Sequence, residues 1–424
     1  MHRIAPGSPS KLEIPAAGVS PLRVLKTLRK VEYAELIALF FVHAMGMGMW
    51  FVPLGSVLDS HGLQEIKAYA FATSALAAFI SPLIFGAMAD RHVSPVRVLR
   101  GLVIATGITM AFVAMTINAG WNQWLVLALI QLNALCMAPT FSLSTSIVFA
   151  RLKSSQREFG RVRSSATLGW ICGCWLISLL GADVSTLAFY VSAAAYLAVG
   201  AFTFVLPDVP PPKVIGQSTW RQRFGWDALA LLKNRDHRVV FITAALFNVP
   251  LAAFYPYTPP QLTQLGFHHT AAWLSLGQFT EFIAMLSLAG LFLHWRLKWI
   301  FVAGLSFGVL RFAFCALNTP AWLVAGVLLH GCSYTLVYIT SQIYLDERID
   351  IAWRARAQAL FALMTSGVGN LIGYLGTGWW FAASTGATGP RYPLFWMGLS
   401  ATVGGVLLYF LVAYRGQKEK PSAA

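Results

Sequence analysis

A chain of 424 residues with 57% hydrophobic and 11% charged side chains carries too few charges to cover a soluble surface, since soluble domains hold roughly a quarter. Lipid must solvate much of its outer face, so the composition points to an integral membrane protein. The net charge of +15 would suit nucleic acid only if the basic residues were gathered in one folded patch, and they are not.

Residues 1–32 are polar and basic with no apolar core of their own, which reads as a cytoplasmic tail rather than a cleavable signal. A helix needs about twenty apolar residues to cross the hydrocarbon. Segments of that kind run over 33–54, 68–89, 97–117, 122–148, 161–182 and 186–206, then over 239–262, 271–293, 298–316, 320–344, 357–381 and 392–414. Between these two sets lies 207–238, with Pro207, Pro210, Pro211 and Pro212 followed by scattered charges, which predicts a cytoplasmic central loop. The expected fold is an all-α membrane protein of twelve transmembrane helices in two six-helix halves, 33–206 and 239–414, with 415–424 a cytoplasmic C-terminal tail.

The charges orient this bundle. With the N-terminus in the cytoplasm, 28 of the 31 Lys and Arg residues fall on cytoplasmic segments. Lys67 and Arg391 fall on outer loops, and Arg311 falls inside the ninth span. That asymmetry follows the positive-inside rule, places both termini in the cytoplasm, and disposes of a nucleic-acid partner. The five cysteines, Cys136, Cys172, Cys174, Cys315 and Cys332, all sit in apolar runs without metal-ligand spacing. They read as buried free thiols, and neither a metal nor a cofactor is expected.

Acidic–basic clusters recur at corresponding cytoplasmic helix ends. Gly86 precedes Asp90 and Arg91 after the second span, and Asp346 and Arg348 follow the tenth. Such clusters can hold a gate through charge pairs and helix-end dipoles, the alternative being interfacial anchoring.

Ionisable groups inside a membrane are expensive and are functional candidates by default. Of the sixteen acids only Glu281 lies near the middle of a span, with Gln278 one turn earlier on the same face. Glu281 could carry a proton, accept a hydrogen bond from a substrate, or pair with a base. Arg311 is expected either to pair with a carboxylate or backbone carbonyls, or to snorkel. Arg163, Thr167 and Trp170 share one face of the fifth helix, offering a forked donor and a stacking plane; an interfacial arginine beside a packed tryptophan is the alternative. The seventh span carries Asn248, Pro250, Tyr255, Tyr257, Pro259 and Pro260, a pattern for a broken helix. The tenth carries Tyr334 and Tyr338, which either face a cavity or pack in the bundle. His43 and His330 read as neutral buried histidines donating to carbonyls. Gln131 and Asn133 read as partners between helices. There is no phosphate loop ending in Lys-Ser or Lys-Thr and no His-Glu-x-x-His, so neither ATP-driven pumping nor enzyme chemistry is expected.

The six-plus-six layout with Gly86 to Arg91 resembles the major facilitator superfamily. Within it the chain is similar to the nucleoside–proton symporters, the bacterial nucleoside permeases. The match is carried by residues 163–170, 278–281 and 310–312, by His330-Gly331-Cys332 leading to Tyr344-Leu345-Asp346, by residues 354–358, and by Gly367, Gly369 and Gly373. The resemblance implies a central site lined by Arg163, Thr167 and Trp170 from the fifth helix and by Gln278 and Glu281 from the eighth; Tyr255, Tyr334 and Tyr338 are added as candidate lining from their own helices. It implies proton-coupled nucleoside uptake across a bacterial inner membrane, with Glu281 as the proton carrier and the chain working as a monomer in the bilayer. The family pattern often has an aspartate where Thr335 stands, and Gln and Asn near Ala252 and Tyr255. These departures keep a permease for sugars or another polar metabolite in view, and behind it a non-transporting sensor.

Overall fold

The computed structural model describes the backbone of residues 21–89, 93–152, 155–208 and 226–416. The Asp90–Arg91 cluster lies outside the described residues. Among the described residues the elements are helices, apart from a pair of two-residue strands, Thr385–Gly386 and Gly389–Pro390, in the loop before the last helix. Among the described residues nine helical stretches are long and apolar enough to cross a membrane, and Leu187–Phe202 is a shorter apolar helix.

In chain order the helices are α1 (Pro21–Phe51), α2 (Leu54–Ser60), α3 (Lys67–Ala89), α4 (Pro95–Asn118), α5 (Gln123–Met137), α6 (Thr140–Arg151), α7 (Ser155–Leu179) and α8 (Leu187–Phe202). They continue as α9 (Arg235–Leu251), α10 (Phe254–Gln264), α11 (Thr270–His294), α12 (Leu297–Ala316), α13 (Pro320–Tyr334), α14 (Thr340–Arg348), α15 (Ile351–Ala362), α16 (Asn370–Ala383) and α17 (Tyr392–Ala413). Local chemistry sets several starts. Ser94 accepts from the Val96 amide with Pro95 in the first turn, Asn122 accepts from Trp124, and Asn234 accepts from Asp236 and His237. Each cap satisfies amides that a helix start leaves unpaired.

Two expected boundaries are corrected. The first helix begins at Pro21, inside the expected tail. The expected loop 207–238 holds a short tight helix, Trp226–Lys233, and α9 starts at Arg235. The expected span 122–148 matches one membrane-length stretch, Gln123–Arg151, which breaks at Ala138–Pro139 into α5 and α6. Proline is the common cause of the breaks, because it removes an amide donor and crowds the preceding turn. Pro53 separates α1 from α2, and Pro250 lies in the last turn of α9 before α10. The two broken stretches meet: a Cβ on Gly55 of α2 would lie 2.9 Å from the Pro256 carbonyl oxygen of α10.

Two large apolar cores organise the bundle. One draws on residues 39–206 plus Ala252 and Tyr374, and the other on residues 228–414 plus Val52 and Cys174. Within the first, Asn133 donates to the Thr106 carbonyl and to Thr109, both at 2.9 Å, tying α5 to α4 as expected of a polar partner between helices. His43 bonds the hydroxyls of Thr140 and Ser144 rather than the expected carbonyl. Glu35 forms an ion pair with Arg151 at 2.8 Å. All five cysteines are free thiols, but Cys172 is exposed, against the expectation of burial, because it points from the outer face of α7.

Contacts between residues 33–206 and residues 235–414 include those at the bundle end that holds the starts of α3 and α11. Lys67, expected on an outer loop, is only 5% exposed and pairs with Asp59 at 2.8 Å. Its ammonium also lies 5.1 Å from the Tyr257 ring centre and 5.3 Å from that of Phe381. At the same end the first amides of α11 are capped from across the bundle. Asp183 accepts from Ala271 N, and the Ser178 hydroxyl accepts from Ala272 N at 3.0 Å.

Candidate functional site

One cavity of about 540 Å³ lies between the two cores. Every residue predicted to line a site borders it: Arg163, Thr167 and Trp170 from α7, Tyr255 from α10, Gln278 and Glu281 from α11, Tyr334 from the end of α13, and Tyr338 just beyond it. Five separate helical segments therefore bring together side chains that the sequence scatters over 176 positions, from Arg163 to Tyr338.

Helix period explains the first cluster. Arg163, Thr167 and Trp170, spaced four and three apart, fall on one face. What turns that face inward is the flanking face, where Gly169 and Gly173 sit against the Phe41 and Met45 carbonyls of α1. Gly48 of α1 returns the contact, with 2.8 Å from its would-be Cβ to the Trp170 carbonyl oxygen. This small-xxx-small packing lets two backbones touch. The Gly169-x-x-x-Gly173 spacing is legible in the sequence and is the signal that would have oriented α7.

Aromatic rings wall the cavity. Phe51 stands 5.2 Å from Tyr255 and 6.3 Å from Trp170, and Trp170 stands 6.0 Å from Tyr255. Opposite them Tyr334 and Tyr338 stack at 4.9 Å with 14° between their planes. Tyr338 lies in a wide, π-helical turn, Thr335–Ile339, and Ser366, also on the cavity, lies in another, Leu363–Gly369. Such turns cluster at functional sites because they re-aim side chains, and residue spacing alone gives little warning of them.

The polar fittings are few. Gln278 donates from Nε2 to the Tyr255 hydroxyl at 2.9 Å. Its Oε1 and the indole Nε1 of Trp170 have no partner among the described residues. The lining holds one carboxyl, Glu281, and one guanidinium, Arg163. These two interact across the cavity, but no ion pair joins them at contact distance among the described residues. Arg163 is exposed, and its guanidinium carbon stands 5.0 Å from the Phe141 ring centre. Asn248, Asn370 and Tyr374 also line the cavity; the sequence reading noted Asn248 but missed the other two.

The structure corrects the reading of three residues. Arg311 is 1% exposed and neither snorkels nor meets a carboxylate; its Nη1 donates to Nδ1 of His330 at 2.7 Å. His330 therefore accepts from an arginine instead of donating to a carbonyl, and its ring borders the cavity. Thr335, where the family pattern suggested a missing aspartate, is fully buried behind the wall, and its hydroxyl donates to the Glu281 carbonyl at 3.4 Å. The second acidic–basic cluster lies away from the cavity: Asp346 pairs with Arg354 at 3.6 Å rather than with Arg348, and both Asp346 and Arg348 are exposed.

Comparison with known proteins places this geometry. Residues 32–418 match the family model for the nucleoside H+ symporters. The Escherichia coli (strain K12) protein YegT is 35% identical over 357 residues, covering 80% of this chain and 82% of its own. The nucleoside permease NupG of the same organism is 25% identical, with 81% and 86% covered. A crystal structure of the nucleoside transporter NupG superposes with a TM-score of 0.84 over 90% of this chain and all of that one, at 22% identity. A bacterial homologue of the lysosomal transporter Spinster superposes with a TM-score of 0.70 at 14% identity. Match and superposition extend over nearly the whole helical region, so the chain is a membrane transporter and not an enzyme, and it belongs to the nucleoside H+ symporter family.

Proposed function

We propose that this transporter imports nucleosides with protons by alternating access, with the described cavity as its substrate site. Twelve spans form two six-helix halves, 33–206 and 239–414, joined by the loop 207–238. The chain works as a monomer in a bacterial inner membrane with both termini in the cytoplasm. The observation that carries this reading is the convergence of Arg163, Thr167, Trp170, Tyr255, Gln278, Glu281, Tyr334 and Tyr338 on one cavity. One carboxyl and one guanidinium balance each other there, which suits an uncharged ligand better than a nucleotide. Flat aromatic walls suit a planar base, and Gln278 and Glu281 suit ribose hydroxyls. The names of the relatives point the same way, since they include a nucleoside permease and a xanthosine permease.

In the proposed cycle the contacts of Lys67, Ser178 and Asp183 close the outer side, and the cavity faces the cytoplasm. Asp346, Arg348 and the cluster of Asp90 and Arg91 would engage when the inner side closes. Glu281 carries the proton.

Uptake of labelled uridine and adenosine into proteoliposomes under an inward proton gradient tests this reading. Nucleosides should compete for uptake, while free sugars should not. Competition by sugars alone would move the cargo to a sugar. Trp170→Ala should raise KM about tenfold, as expected for the loss of one stacking plane worth about 1 kcal/mol or somewhat more, whereas Trp170→Phe should retain most of the affinity. Equal loss in both variants would place Trp170 in packing instead.

A further inference from the structure

His330 is held in a way that its neighbours explain chemically. Arg311 lies behind it, 1% exposed, with its guanidinium carbon 4.8 Å from the Phe254 ring centre and 4.6 Å from that of Phe312. Its Nη1 reaches Nδ1 of His330 at 2.7 Å. A guanidinium has only donors, so Nδ1 must offer a lone pair. The imidazole then carries its single proton on Nε2. The ring stacks on Phe254, 4.0 Å away at 12°, and runs near-parallel to Tyr334, 6.1 Å away at 22°, contacts that oppose the turn exchanging its two nitrogens.

The stacking turns the Cδ2 edge of His330, which adjoins Nε2, toward α11. His330 borders the cavity, and Nε2 has no protein partner among the described residues. Helices α11 and α13 touch there through backbone: Gly331 packs against the Glu281 amide, and a Cβ on Gly277 would stand 3.2 Å from His330 Cδ2. Thr280 locks the two helices with a 2.7 Å bond to the Leu328 carbonyl. The His330 edge is thereby adjacent to Gln278 and Glu281. What those two residues offer a ligand includes acceptors: Gln278 spends one Nε2 hydrogen on Tyr255, its Oε1 has no partner among the described residues, and the Glu281 carboxyl accepts when it is ionised. A hydroxyl needs both an acceptor for its proton and a donor for its oxygen.

We propose that His330 is a specificity-determining residue whose Nε2–H donates to a sugar hydroxyl oxygen of the substrate, with Arg311 as the positioning residue that fixes this tautomer. The proposal rests on the nucleoside reading for the identity of that hydroxyl. The wall formed by Gln278, Glu281 and His330 then reads a hydroxyl as acceptor and donor together, so a ligand lacking it leaves polar atoms unpaired.

Two measurements on the full-length purified protein test this. Side-chain 15N spectra of labelled wild type should show one imidazole with a protonated Nε2 and a bare Nδ1, missing in His330→Phe and losing its fixed tautomer in Arg311→Met. A His330 resonance with the proton on Nδ1 would overturn the proposal whatever the cargo. Binding of uridine, 2′-deoxyuridine, 3′-deoxyuridine and 5′-deoxyuridine should then be compared in wild type, His330→Phe and His330→Gln. His330→Phe should weaken uridine about tenfold, the worth of one hydrogen bond, and should leave one of the three deoxy analogues unchanged. His330→Gln, which keeps a donor, should restore part of the loss. Equal weakening of all four ligands, or of none, would overturn the proposal and leave His330 as a packing partner of Arg311. A wild type that binds no nucleoside would instead sink the nucleoside reading, and the spectra would decide the tautomer by themselves.

Discussion

Glu281→Gln should abolish gradient-driven accumulation while leaving exchange of nucleoside across the membrane in place. Among the described residues Glu281 is the only carboxyl on the cavity, and the nearest family position for a second acid is occupied by Thr335, which is buried behind the wall. Glutamine keeps the shape and can still hydrogen-bond a hydroxyl, but it cannot release a proton. One pH unit across the membrane is worth about 1.4 kcal/mol, so one proton per substrate can sustain about tenfold accumulation. Wild type should approach that ratio in proteoliposomes, and the variant should stay near one. Counterflow of labelled against unlabelled uridine should persist in the variant. Undiminished accumulation in Glu281→Gln would remove Glu281 from the coupling path. Loss of counterflow as well would make it a binding residue first.

The second large effect is one of packing. Gly169→Val should lower Tm markedly and eliminate transport. Its Cβ would enter the Phe41 carbonyl of α1, and backbone cannot move aside as a side-chain tip can. Overpacking typically costs about 1–3 kcal/mol and more where backbone must shift. Separation of α1 from α7 would also swing Trp170 and Thr167 off the cavity. Gly404→Ala is the matched control. A Cβ there meets nothing within 4 Å, and helix propensity favours alanine over glycine by about 1 kcal/mol. Tm should therefore hold or rise. Equal Tm values for wild type and Gly169→Val would mean that the α1–α7 contact is looser than the coordinates place it.

Much of this molecule is legible without coordinates. Apolar runs of membrane-spanning length give the helices, because lipid leaves the backbone few other ways to satisfy its polar groups. The rarity of buried charge singles out Glu281, because each such charge is expensive. Spacing of four and three puts Arg163, Thr167 and Trp170 on one face, and the prolines of the seventh span announce its break at residues 252–253. Other features depend on partners distant in the chain. Whether the α7 face points to lipid or to the cavity is decided by Gly169 and Gly173 against α1. Whether Tyr334 and Tyr338 face the ligand space is decided by a wide turn that sequence period does not encode. The role of His330 needs Arg311, nineteen residues away and one helix over. Sequence by itself determined what must cross the membrane and which groups are too costly to sit there idle, because both are properties of single residues and their neighbours along a helix. Only the tertiary structure decided which atoms stay unpaired and aimed at the cavity, because a hydrogen bond or a close backbone contact exists only once two helices have met.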